Sequence, residues 1–132
     1  MSNIKSSLHN ILDHSASGLS EITYTAHEIL NATGCHEFEI NLLNANTNPR
    51  IPDQLDRLHK SVEELIQKSN KILISTSGHE LQFFDSIILI ISMTPSKFPQ
   101  PNISDCYTAF YKVRLIANYN NIEYNEVIEK EG

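Results

Sequence analysis

The 132-residue sequence predicts an all-α fold, an antiparallel bundle of four to five helices in one domain, with a dimeric four-helix core as its paired form. Three observations predict it. Apolar residues recur at intervals of three and four over most of the chain, as the buried stripe of a helix requires. Stretches rich in proline and asparagine separate these periodic runs. The one run that alternates like a strand has no evident partner, and a lone strand does not persist in water.

Taken in order, residues 3–32 place Ile4, Leu8, Ile11 and Leu12 on one helical face, followed by Leu19, Ile22, Ala26, Ile29 and Leu30. Ser15-Ala16-Ser17-Gly18 interrupts them, either as a break between two helices or as a poorly packed turn in one long helix. Beyond Gly34 the pattern is ambiguous. Phe38, Ile40 and Leu42 alternate with Glu37, Glu39 and Asn41 as in a strand, while Cys35, Phe38, Leu42 and Ala45 continue a helix. The helical reading is preferred, with Gly34 a weak point costing ~1 kcal/mol relative to alanine. Residues 44–52, with their asparagines and Pro49 and Pro52, form the clearest loop.

Residues 53–75 predict a strong helix. Asp53 is a natural N-cap, Leu55, Leu58, Val62, Leu65, Ile66, Ile72 and Leu73 make the stripe, and Asp56, Arg57, Lys60, Glu63, Glu64 and Lys68 fill the other side. Ser77-Gly78-His79-Glu80 fits a capping box, so a further helix is expected through Met93. That helix is apolar nearly all round and should be the most buried element. Pro95, Pro99 and Pro101 mark a loop. Ser104 then caps a last helix carrying Tyr107, Phe110, Val113 and Ile116, and residues 118–132 read as a polar, fraying tail.

Composition narrows the function classes. With 40% hydrophobic and 20% charged residues the chain is an ordinary folding sequence. Its net charge of -6 argues against binding nucleic acid, which needs a cationic stripe, and against docking on an anionic membrane surface. The longest apolar stretch, residues 87–91, is far below the ~20 residues that span a bilayer. No leader pattern opens the sequence, and Cys35 and Cys106 read as a reduced pair, so a cytoplasmic setting is expected.

Ala26-His27-Glu28-Ile29-Leu30-Asn31 is the segment that points to chemistry, together with Leu42-Leu43, the asparagine-rich loop and Leu58-His59-Lys60-Ser61-Val62-Glu63-Glu64-Leu65-Ile66. Across residues 19–76 the chain resembles the dimerisation and histidine-phosphotransfer hairpin of sensor histidine kinases and their kinase-less phosphotransferase relatives. In that family the acceptor histidine is followed by an acidic and an aliphatic residue, and a leucine pair ends its helix. A proline usually follows soon after the histidine; here the chain has Leu30-Asn31-Ala32 and then Gly34. The resemblance implies His27 as the phosphoryl acceptor and Glu28 as the group that orients the ring or takes its other proton. It also implies a receiver domain or other signalling protein as partner and a homodimer as the assembly. The chain holds no glycine-rich nucleotide lid and has too few residues for an ATP-binding domain, so autokinase activity is excluded. A degenerate relative that borrows the hairpin without the chemistry fits the same residues.

Other constellations are weaker. Asp56, His59 and Glu63 share a helical face, but a di-iron site needs repeated Glu-x-x-His units from several helices. Cys35-His36 with His27 is too sparse for zinc, which wants four ligands. No metal and no cofactor are expected. The alternative from another class is a non-enzymatic adaptor, chaperone-like or inhibitory binding module. Its contact would be the aromatic-rich C-terminal part, with Tyr107, Phe110, Tyr111, Tyr119 and Tyr124.

Overall fold

The stripe of Ile4, Leu8, Ile11 and Leu12 forms helix α1 (Ile4–Ala16), with all four side chains buried. The stripe of residues 53–75 forms helix α2 (Asp56–Ser77), which buries Leu58, Val62, Leu65, Ser69 and Leu73. Between and after them the chain makes strands: β1 (Glu37–Asn41), β2 (Thr47–Asn48), β3 (Ser86–Thr94), β4 (Phe110–Tyr119) and β5 (Ile122–Glu131). This computed structural model describes residues 4–16, 36–94 and 110–131. The predicted all-α bundle, with its dimeric four-helix core, is therefore replaced by an α+β fold. Two helices lie against a five-stranded antiparallel sheet of order β2-β1-β3-β4-β5.

The physical reason is that the sheet supplies the partners the sequence did not advertise. Phe38 and Ile40 pair with Ile91 and Leu89 on β3, and these in turn pair with Val113 and Leu115 on β4. The alternation at 37–41 therefore meets a neighbour and becomes β1 rather than a helix. The apolar run expected as the most buried helix is β3, the central strand. Ile87, Leu89 and Ile91 join the core with the two helices, while Ile90 on the opposite face is only 5% exposed, in register between Glu39 and Arg114. A central strand buried on both faces reads as a continuous apolar run, and four isoleucines among residues 87–91 suit a pleated surface better than a helix. Each fully buried side chain of this kind contributes about 1.5–3 kcal/mol of transfer free energy.

The expected last helix is β4 over its described part, and the expected frayed tail is β5. The two pair along their whole length around Asn120 and Asn121. Both asparagines have positive φ, 51° and 63°, the backbone of the tight turn whose twist matches that of the flanking strands. Ser77-Gly78-His79-Glu80 is likewise corrected from a helix start to a helix stop. Ser77 is the last residue of α2, and Gly78 adopts φ 75° with its N–H donating to the Ile74 carbonyl at 2.9 Å. Asn70 Oδ1 then accepts from Leu81 N–H at 3.0 Å, tying the adjoining turn of 3-10 helix (Leu81–Phe83) to α2.

The helices and the inward sheet residues form one core on one side of the sheet. Helix α1 rests on α2, where the Ser7 and Thr76 hydroxyls hydrogen bond, and it extends across β4 and β5. Among the described residues no helix is long and apolar enough to cross a membrane.

Candidate interaction edge

Register decides what β5 presents. The two-residue turn makes Tyr119 and Ile122 a hydrogen-bonded pair, and the alternation of an antiparallel ladder then bonds Tyr124, Glu126 and Ile128 to β4. The N–H and C=O groups of Glu123, Asn125, Val127 and Glu129 consequently point away from the sheet. β5 is the terminal strand, and all four of these residues are exposed, Val127 at 47%. The two sheet edges differ sharply. At the other end β2 has two residues and is succeeded at once by Pro49, which has no N–H to offer. The ten-residue edge at β5 holds neither proline nor glycine.

Side chains on the core-facing side of β5 are Tyr124, Glu126 and Ile128, opposite Ala117, Leu115 and Val113. Tyr124 and Ile128 pack on the core. Glu126 does not belong to that apolar set. Its side chain lines a shallow cleft of about 370 Å3 with Lys5, Ser6, His9 and Asn10 from the solvent side of α1. No ion pair joins Lys5 to Glu126. On the other side of the sheet Lys112 pairs with Glu129 at 3.5 Å and Arg114 with Glu37 at 3.2 Å, while Glu123 has no ion-pair partner among the described residues. The result is a free strand edge flanked by a polar cleft, with an acidic balance. β5 carries four glutamates and one lysine, so its formal charge of -3 (-4 plus 1) is half the chain's -6.

The residues singled out by sequence fare differently. His27 and Glu28, the expected acceptor and its assistant, lie outside the described residues, as do Cys35, Cys106 and Tyr107. The end of the expected first helical rod is β1, so over residues 37–41 the hairpin of the resemblance is not a pair of helices. Asp56 and Glu63 are exposed, and His59 is half-buried with its Nε2 3.2 Å from the Pro52 carbonyl oxygen, a contact that ties the loop to α2. Among the described residues no group of three metal-ligating side chains forms. Tyr119 and Tyr124, expected as contact aromatics, pack on the core instead. Tyr119 meets Phe84 and His79, its hydroxyl 3.3 Å from His79 Nδ1.

The β5 edge and Glu126 escaped sequence reading. Their signal was Asn120-Asn121 set between two alternating runs, Lys112 to Asn118 and Ile122 to Ile128. Compared with protein-family models, with curated proteins and with solved structures, the chain finds no match.

Proposed function

We propose that this chain is a protein-binding module that takes an extended segment of its partner as a sixth strand beside β5. The observation that carries this reading is the ten-residue edge whose outward N–H and C=O groups lie among exposed residues while the opposite edge is cut short. Backbone hydrogen bonds to such an edge supply affinity, and side chains on alternate faces supply specificity. The cleft beneath α1 stands beside the path that one face of an added strand would take. Acidic charge and only two cysteines place this activity in the cytoplasm in our reading, with a protein rather than a nucleic acid or a membrane as partner. Histidine phosphotransfer needs two helical rods side by side, and β1 occupies the end of one of them, which favours the binding module.

The test is a selection of displayed random peptides on the wild-type chain, then binding of the selected peptides to Val127→Pro. The Val127 N–H faces the free edge, so proline removes a docking donor without breaking a bond to β4. Selected peptides should lose at least tenfold in affinity for the variant while its circular dichroism stays unchanged. In the wild type they should slow amide exchange at Glu123, Asn125, Val127 and Glu129. Equal binding to both proteins with no such protection would rule the edge out as the contact.

A further inference from the structure

We infer that the strand accepted at β5 is a basic one, antiparallel to it, with a cation facing Glu126 in the cleft and another facing Glu123 on the opposite side of the sheet. This rests on the binding reading above and names its partner class. Every strand pair in the sheet is antiparallel, and an added strand in that sense continues the pattern. Running against β5, its residues would meet Glu129, Ile128, Val127, Glu126, Asn125, Tyr124 and Glu123 in turn. Lys112 already answers Glu129, so no cation is required there. Val127 calls for an apolar neighbour. Glu126 and Glu123 have no ion-pair partners among the described residues, and they stand one on each side of the added strand.

The same charges weigh against the rival occupant, a second copy of this chain. Two β5 edges brought together would juxtapose two strands of formal charge -3 each, and like charges facing across a ladder destabilise it. An inward-turned charge on an edge strand is also a known guard against edge-to-edge aggregation. Here that guard excludes self while leaving the backbone open to a partner of opposite sign. Lys5 lies across the cleft from Glu126 and sets a limit. It leaves room for one cation, whereas a run of them would meet repulsion.

The probe is a capped eight-residue peptide with valine third, lysine fourth and seventh, and threonine elsewhere, its affinity measured by fluorescence anisotropy. Companion peptides carry glutamine or glutamate in place of both lysines. The lysine peptide should bind wild type about three- to tenfold tighter than the glutamine peptide, the scale of two cross-strand charge pairs, and the advantage should shrink as salt rises. Glu123→Lys combined with Glu126→Lys should reverse the preference towards the glutamate peptide. If all three peptides bind alike to both proteins but lose affinity for Val127→Pro, the charge inference is overturned while the edge remains the contact. If none binds while displayed peptides still select the edge, the partner class is wrong. If none binds and selection also fails, both readings fall. Sedimentation showing wild-type self-association that Val127→Pro abolishes would assign the edge to a second copy and overturn the inference as well.

Discussion

Gly78 shows how a single residue sets a boundary. Its φ of 75° is a backbone that side chains with a Cβ adopt at a cost, and an added Cβ would meet nothing within 4 Å. The penalty of Gly78→Ala is therefore conformational rather than steric, and we expect about 1–2 kcal/mol lower stability by urea unfolding. The residue is plain in the sequence, but its role is not. Ser77-Gly78-His79-Glu80 satisfies the pattern of a helix start, and the same glycine satisfies that of a helix stop. The next regular element of the chain decides between them. Ser77 Oγ turns back to the Leu73 carbonyl at 2.7 Å, and that next element is a strand. His27 and Glu28 illustrate the converse case, in which the residue types suit a chemistry but lie outside the described residues.

At the level of elements, the β4–β5 hairpin matters most, because it creates the edge on which function is proposed. Asn120 and Asn121 both hold positive φ, and glycine is favoured at the second of these positions. Asn121→Gly should raise the unfolding free energy by a few tenths to ~1 kcal/mol, read as a higher denaturation midpoint with an unchanged slope. Lower stability in that variant would mean that the turn is not of this type. Helix α2 is legible because its stripe repeats with helical period over 22 residues and its charged side is continuous. β1 is half-legible, since its alternation is plain in the sequence but its partner is not. β3 is opaque. A run apolar on every side fits a buried helix and a central strand equally well until its neighbours are known.

Across the whole molecule, the arrangement places both helices on one face of the sheet and leaves one edge long and acidic. Leu89 lies fully buried between Ile40 and Leu115 near the centre of that layer. Leu89→Ala should cost about 2–5 kcal/mol in unfolding free energy. A measured loss of well under ~2 kcal/mol would contradict the central position of β3. The exposed ion pair of Arg114 with Glu37, by contrast, bridges β4 and β1 across β3 and adds little to stability in comparison with such a core contact.

By itself the sequence determined the two helical stripes of α1 and α2, the loop over residues 44–52, and the acidic balance that sets this chain apart from nucleic-acid binders. Only the tertiary structure decided that residues 37–41, 86–94 and 110–131 are strands, and that the last of them stands at an edge. A helix satisfies its backbone within its own few turns, so its period is written locally. A strand satisfies its backbone only through neighbours, here as far apart in sequence as Phe38 and Ile91, and no local pattern records which neighbours those are.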